Sequence, residues 1–133
     1  MGKPSQRSRA YAAGFFDGEG SVLVGDESRS YCVTVSVVQK PEFVLSWLQS
    51  IWGGSIYREK GGYYRWRLEA DKAATFLIDV SPYLQLKQQQ ALHAIRLQTL
   101  RHSLRNGSKR AVGLRVLGSS IRAAVRALNA GRS

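Results

Sequence analysis

The chain has 133 residues, and its 20 Lys and Arg outnumber its 9 Asp and Glu, so its formal net charge is +11. This length suits one compact domain with its own hydrophobic core and leaves no room for a second domain of ordinary size. Hydrophobic residues make up 44% and charged residues 22% of the sequence, which excludes a disordered chain. The single cysteine, Cys32, excludes an intrachain disulfide framework and a zinc site built on several thiolates.

The charge is unevenly distributed along the chain. All the acids lie before residue 80, whereas residues 80–133 hold ten Lys and Arg. Such an excess favours a polyanionic partner, above all nucleic acid, because binding releases condensed counterions. The alternative is a basic face that only keeps the protein in solution. The first ten residues are polar and basic and carry no secretion signal, so we expect an intracellular, soluble protein in the cytoplasm or an organelle matrix, with no membrane partner.

The chain begins with a predicted flexible basic arm over residues 1–8, followed by a short helix over 9–17. On a helical wheel, four of its residues occupy one narrow sector, and the bulky side chains lie elsewhere. These four residues are Ala10, Ala13, Gly14 and Asp17. A helix face without bulky side chains lets another backbone approach closely. An Ala- and Gly-rich helix exposed to solvent would show the same pattern.

Two hairpins are predicted, one on each side of a second helix. In the first hairpin, 21–24 pairs with 31–38, and Thr34 and Ser36 lie on the opposite side from Tyr31, Val33, Val35 and Val37. A helix over 41–53 follows, because proline suits the first helical position. The second hairpin is predicted to pair 55–60 with 63–69 across a two-glycine turn at 61–62.

Basic residues recur at every second position in the second hairpin. The pairs Arg58 with Lys60 and Arg65 with Arg67 each project to one side of the sheet. If they share the side of Thr34 and Ser36, that side is a basic surface that can enter a DNA major groove. An ordinary solvated face is the alternative. The predicted DNA-binding residues are Thr34, Ser36, Lys40, Arg58, Lys60, Arg65 and Arg67.

The remainder of the chain is predicted to be helical. A helix over 71–80 precedes a long helix, which Ser81 caps, Pro82 opens and residue 105 ends. After a break at 106–108, a helix over 119–129 closes a C-terminal extension that spans 106–133. The element order predicts an α+β fold with an αββαββα core, in which helices cover one face of a four-stranded antiparallel sheet and leave the other open.

Two acids, Asp17 and Glu19, flank Gly18 at the end of the first helix. Carboxylates there oppose the helix dipole, and a compensating cation would explain them, because carboxylate and carbonyl oxygens suit Mg²⁺. The alternative is that Asp-Gly and Glu-Gly are simple turn dipeptides. His93 and His102 fall on opposite sides of one predicted helix, so they cannot share a metal.

Residues 12–21 read AAGFFDGEGS, a segment that closely resembles the signature motif of the LAGLIDADG homing endonucleases. The likeness includes the acid-Gly-acid-Gly ending and the serine that opens the first strand. The αββαββα order, the segment VQK at 38–40 and the segment LQLKQ at 84–88 also resemble that family, so the likeness covers about residues 9–105. It implies a single endonuclease domain over 1–133 whose sheet forms a DNA-binding saddle.

The resemblance also implies roles for individual residues. Glu19 and the carbonyl of Gly18 would bind Mg²⁺, with Mn²⁺ tolerated, and Gln39 and Lys87 would join Glu19 as catalytic residues that organise water or stabilise charge. Homodimeric members carry a further basic residue where this chain reads PEF at 41–43, so either Lys40 or Arg9 replaces it or catalysis is weaker. The helices with Ala10, Ala13, Gly14 and Asp17 would pair at the dimer interface.

The implied activity is site-specific DNA cleavage that makes a double-strand break, with short 3′ overhangs, in a long pseudo-palindromic target. Because one acid motif serves one strand, a single-motif chain needs a second copy, and a twofold dimer matches such a target. One alternative is a catalytically inactive relative that acts as an RNA intron-splicing maturase or a DNA-binding protein. Another is a monomer that nicks one strand.

Overall fold

The structure is a computed structural model, and it describes residues 3–27, 30–103 and 107–131. The helices and strands are, in chain order, α1 (Gln6–Glu19), β1 (Gly20–Glu27), β2 (Ser30–Gln39), α2 (Phe43–Trp52), β3 (Ser55–Arg58), β4 (Tyr64–Glu69), α3 (Ala70–Val80), α4 (Gln88–Ser103) and α5 (Gly107–Gly131). The predicted α+β class and the αββαββα order are confirmed, with α4 and α5 following that core. Within the described ranges, every helix is too short or too polar to cross a membrane.

The four strands form one antiparallel sheet in the order β1-β2-β4-β3. Val35 of β2 lies opposite Val22 of β1 and Leu68 of β4. Since side chains alternate along a strand, Val33, Val35 and the residues opposite them on β1 and β4 point toward the helices, where they are buried. The other face of the sheet is open.

An aromatic cluster centred on Phe76 of α3 joins the helices to the sheet. Its ring makes edge-to-face contacts with Phe16 of α1, Trp52 of α2 and Trp66 of β4, at centroid distances of 5.3, 4.9 and 5.2 Å. Both indoles keep a hydrogen-bond partner: Trp66 Nε1 donates to the carbonyl of Gly53 at 2.8 Å, and Trp52 Nε1 donates to an Asp79 oxygen at 2.9 Å. The cluster therefore buries large apolar surface without leaving an indole N–H unpaired.

The C-terminal helix α5 covers the edge strand β1. Arg122 Nε donates to the carbonyl of Val24 at 3.2 Å, and Asn129 Nδ2 donates to the carbonyl of Val22 at 3.0 Å. These side chains satisfy backbone acceptors that an edge strand otherwise leaves without a protein partner.

Several element boundaries differ from the predictions. The arm predicted over 1–8 is wrong for its last residues, because α1 begins at Gln6 and Ser5 caps it, with its Oγ accepting from the Ser8 amide at 3.1 Å. Strand β1 continues beyond its predicted end at residue 24 as far as Glu27, while residues 28–29 lie outside the described residues. Helix α2 begins at Phe43, two residues after Pro41.

The last two helices begin elsewhere than predicted. Ser81–Tyr83 forms only a short 3₁₀ turn, and α4 starts at Gln88 rather than at Pro82. Helix α5 starts twelve residues before the predicted 119, despite Gly118. A side chain at Gly118 would place its Cβ 2.4 Å from the Tyr31 ring, so this glycine lets the helix pack closely on β2. The predicted end of the long helix at 105 lies outside the described residues.

Candidate active site and the open sheet face

The end of helix α1 meets the end of strand β2. Gly20, directly after the helix, lies opposite Val37, so that Gln39 reaches the last helical residue. Gln39 Nε2 donates to Glu19 Oε1 at 2.9 Å, and Glu19 is exposed. Glu19 and Gln39, which are 20 positions apart in the sequence and are both predicted to be catalytic, are thus brought together. The Glu19 carboxylate is open to solvent, and the side-chain amide of Gln39 orients it.

Asp17, two residues earlier, lies in a different environment. It is buried, with 8% of its surface exposed, and one oxygen accepts from the Gln85 amide at 2.7 Å. The other oxygen accepts from the amides of Leu86 and Lys87, at 3.1 and 3.0 Å. Three backbone N–H groups therefore compensate this carboxylate, which corrects the idea that a cation is needed beside it.

Lys87 completes the contact between the end of α1 and the segment before α4. Its Nζ donates to the backbone carbonyl of Asp17. Carbonyls in the last turn of a helix lack a helical partner and carry partial negative charge, so a lysine there is favourable. Lys87 lies just before α4 and not within it, because the amides of 85–87 are already bonded to Asp17.

Gly20 lets the chain leave α1 over a buried ring. A Cβ at this position would lie 2.1 Å from the Phe16 ring, a distance that real structures essentially never show. The last glycine of the motif is therefore required by the packing of Phe16, which belongs to the same motif.

The small-residue face of α1 is only partly exposed. Ala13 is fully buried, and Asp17 is buried in the contact described above, whereas Ala10 and Gly14 are exposed together with Gly18. Residues four apart lie along one line of a helix surface, so Ala10, Gly14 and Gly18 form an exposed stripe. A Cβ added at Gly14 or Gly18 would meet no atom within 4 Å.

The open face of the sheet carries four of the predicted DNA-binding residues. Arg67 of β4 lies opposite Ser36 of β2, and Arg65 lies opposite Val38, so both arginines share a side with Thr34 and Ser36. Lys40, just beyond β2, is exposed and places its Nζ 5.7 Å from the centre of the Tyr63 ring.

Arg58 and Lys60 depart from the predicted arrangement. Arg58 lies opposite Tyr64, so it shares the helix-covered side, and its guanidinium is 5.8 Å from the centre of the Tyr64 ring. Lys60 is exposed, but it lies in a 3₁₀ turn rather than in a strand. The two pairs of basic residues therefore do not form one surface.

The cause is the length of the turn between β3 and β4. A two-residue turn would place Arg58 opposite Arg65, but Glu59 donates its amide to the carbonyl of Tyr63 at 2.7 Å, which closes a three-residue loop. Gly61 and Gly62 both have φ near +80°, which the loop requires. A register change of one residue moves every side chain to the other face, so Tyr57 takes the open-face position opposite Arg65.

Sequence reasoning also missed two glutamates on this face. Glu59 Oε2 lies 3.1 Å from Arg65 Nε, and Arg67 Nε donates to Glu69 Oε2 at 2.9 Å. The hydrogen bond that Arg67 donates to Glu69 raises the pKa of Arg67 above its ordinary value. The alternation of Arg and Glu at 65, 67 and 69 was visible in the sequence, but the approach of Glu59 depends on the turn.

The donors at the end of α1 suit a hard divalent cation. Among the described residues of a single chain, there is no group of three or more His, Cys, Asp or Glu side chains that could hold a metal ion. Glu19 nevertheless offers an exposed carboxylate without a cationic partner among the described residues, next to the backbone carbonyl of Gly18. Such oxygen donors fit Mg²⁺, which keeps several waters and needs few protein ligands.

The fold and this constellation define a class of α+β proteins. In this class, a motif helix ends in two acids beside the first strand of an antiparallel sheet whose other face is open. The model of the LAGLIDADG endonuclease family matches residues 12–97, which is more than half of the chain. The chain belongs to this family. No curated protein matches it.

Solved structures with the same fold include complexes with DNA. A structure of the homing endonuclease I-CvuI with the I-CreI target and Mg, in which the DNA is not cleaved, superposes with a TM-score of 0.67 at 22% identity, covering 93% of this chain and 96% of that one. The archaeal intron-encoded homing endonuclease I-Vdi141I, complexed with DNA, gives 0.62 at 20% identity, covering 92% and 97%. The meganuclease I-AabMI, bound to uncleaved DNA, gives 0.73 at 16% identity, covering 88% of this chain and 44% of that one. At these identities, the likeness shows the fold.

Proposed function

We propose that the protein is a homodimeric, site-specific homing endonuclease that makes double-strand breaks in a long pseudo-palindromic DNA target by divalent-metal-dependent phosphodiester hydrolysis. The observation that carries this proposal is the exposed Glu19 carboxylate, held by Gln39 at the end of a helix with an exposed small-residue stripe. Membership of the LAGLIDADG endonuclease family supports the same conclusion.

DNA is the proposed partner of the open sheet face. Thr34, Arg65 and Arg67 supply hydrogen-bond donors there, and arginine can donate to the edge of guanine in a major groove. Ser36, which is buried, would contribute through the hydrogen bond that it accepts from Arg65. Lys40 and Lys60 lie where β2 ends and where β3 turns into β4, and both suit contacts to phosphates. Related structures that contain DNA support this assignment.

Glu19 and the carbonyl of Gly18 would hold Mg²⁺, or Mn²⁺ in its place. Such an ion, when bound, supplies Lewis acidity and lowers the pKa of a water ligand. Gln39 would keep the Glu19 carboxylate in the orientation that faces the ion. Lys87, whose ammonium lies against the end of α1, would offset negative charge that develops on the phosphate.

A second copy of the chain would complete the reaction. One chain carries one Glu19, whereas a double-strand break requires attack on two strands. The exposed stripe of Ala10, Gly14 and Gly18 would let two α1 helices approach closely about a twofold axis, with both Glu19 carboxylates near it. Ala13 and Asp17 would support this interface from inside each chain.

Cleavage is tested on duplex DNA that carries the insertion site of the protein's own gene, with Mg²⁺ added. We expect the parent protein to cut both strands. The Glu19→Gln variant should bind the DNA with the same affinity as the parent but cut it about a thousandfold more slowly. Asp71→Asn is the matched control, since it removes a carboxylate from α3 on the covered side of the sheet and should cut normally. Binding of this DNA without any cutting by the parent would instead identify an inactive DNA-binding relative, and preference for folded RNA would identify a maturase.

Dimer formation is tested with Gly14→Leu. Because a Cβ at Gly14 meets no atom within 4 Å, the substitution should leave the single chain folded. We expect it to weaken association at least about tenfold in sedimentation equilibrium, since leucine would separate two closely packed backbones. Ala123→Leu, at an exposed position of α5, is the control and should leave the mass unchanged. An unchanged dimer mass for Gly14→Leu would place the interface elsewhere.

A further inference from the structure

Two arginines on the open sheet face are each held by a glutamate. Glu59 contacts Arg65 at two nitrogens, with Nε–Oε2 and Nη2–Oε1 distances of 3.1 and 3.4 Å. Arg65 Nη1 also donates to Ser36 Oγ at 3.0 Å, and Ser36 is buried with 3% of its surface exposed. The Arg65 guanidinium is therefore fixed on two sides.

Arg67 is held in a similar way by Glu69, which lies two positions later on the same side of β4. Its Nε and Nη2 both donate to Glu69 Oε2, with the Nε distance at 2.9 Å. The side chains of Arg67 and Glu69 are 42% and 53% exposed, so the pair lies at the surface where a ligand would contact it. On this face, each of the two strand arginines is thus matched by a carboxylate.

This pairing has two physical consequences for DNA binding. A carboxylate beside each guanidinium cancels much of its long-range attraction for phosphate, the sequence-independent part of the affinity. It also holds the guanidinium in one orientation, so that less side-chain entropy is lost when the arginine donates to a base. Bidentate donation by arginine to guanine O6 and N7 is the contact that such orientation favours.

We propose that Glu59 and Glu69 are specificity-determining positioning residues, which suppress phosphate attraction by Arg65 and Arg67 and orient them toward guanine. The inference rests on the proposed function, because it takes the open sheet face as the surface that meets double-stranded DNA. A purely structural role is the weaker explanation, since exposed ion pairs contribute little to stability.

The test compares Glu59→Gln and Glu69→Gln with the parent, using a fluorescent duplex of random sequence as the probe. Each substitution should increase the magnitude of the slope of log affinity against log salt by about 0.9, the value for one additional phosphate contact. Between about 50 and 200 mM salt, this corresponds to roughly a threefold greater loss of affinity. Asp71→Asn adds the same unit of charge on the covered side of the sheet, and its slope should match that of the parent.

Selection from a pool of randomised duplexes supplies the second readout. The parent should enrich guanine at defined positions, Arg65→Ala and Arg67→Ala should each abolish this enrichment at one of them, and the corresponding glutamine variant should reduce it there. Unchanged guanine enrichment, or a salt slope equal to that of Asp71→Asn, overturns the inference while the parent still binds DNA. Failure of the parent to bind any duplex overturns the proposed function and the inference together.

Discussion

Two carboxylates lie at the end of α1, two positions apart in the sequence, one on the buried side of the helix and one on its exposed side. On the buried side, Asp17 accepts three backbone N–H groups from 85–87. On the exposed side, the side chain of Glu19 has one hydrogen-bond partner among the residues that the structure describes, the amide of Gln39. The carboxylate with a complete set of partners ties distant segments together, and the other remains available to a ligand. The comparison shows that one short motif places a buried, fully hydrogen-bonded acid and a solvent-exposed acid only two positions apart.

Asp17→Ala should produce the largest effect on stability. Three amides would lose a charged acceptor in a buried site, and we expect the free energy of unfolding to fall by about 3 kcal/mol in urea denaturation. Glu19→Gln is the matched control at the same helix end, and its stability should change by less than about 0.5 kcal/mol. Equal losses for the two variants would contradict the division of roles.

Lys87→Met tests whether the buried side also serves the chemistry. Methionine keeps most of the apolar stem of lysine but removes the ammonium that donates to the carbonyl of Asp17. We expect unchanged DNA affinity and cleavage about a hundredfold slower in single-turnover assays with Mg²⁺. A loss of affinity at an unchanged cleavage rate would show that Lys87 acts only in binding.

Asp71 extends the comparison to an exposed carboxylate that has hydrogen-bond partners. Its substitution should have the smallest effect on stability. Hydrogen bonds from His102, and secondly from Gln98, lower the pKa of Asp71. Because the pKa is lower in the folded state, the contribution of Asp71 is present above the unfolded value of about 3.9 and is lost as pH falls through the folded value. Urea midpoints of the parent and of Asp71→Asn should therefore begin to converge as pH falls below about 4, and should coincide once the pH is below the folded pKa of Asp71. A difference that does not shrink over that range would exclude this linkage.

The fold was predictable where local patterns determine structure. Alternation of valines with small polar residues in β2 gives both faces of that strand, and the order of helices and hairpins gives the topology. The start of α4 was not predictable in this way. Pro82 suits a helix start, but the amides of 85–87 bind Asp17, which lies 68 to 70 positions earlier. No local pattern encodes that contact.

The candidate site shows the same limit. The motif predicts Glu19 as a site residue, and the resemblance predicts Gln39 and Lys87, but only the structure shows that Lys87 contacts the Asp17 carbonyl. On the sheet, one extra residue in the β3–β4 loop decides that Tyr57, and not Arg58, lies on the open face. Two neighbouring glycines permit both a two- and a three-residue loop, so the sequence leaves this choice open.

The covering of β1 by α5 has a consequence for synthesis on the ribosome. The carbonyl of Val24 accepts a hydrogen bond from Arg122, and that of Val22 accepts one from Asn129, and both donors belong to a helix that is translated about a hundred positions later. Until that helix emerges, the growing chain presents an uncovered strand edge to neighbouring nascent chains, and chaperone demand should be highest in that interval.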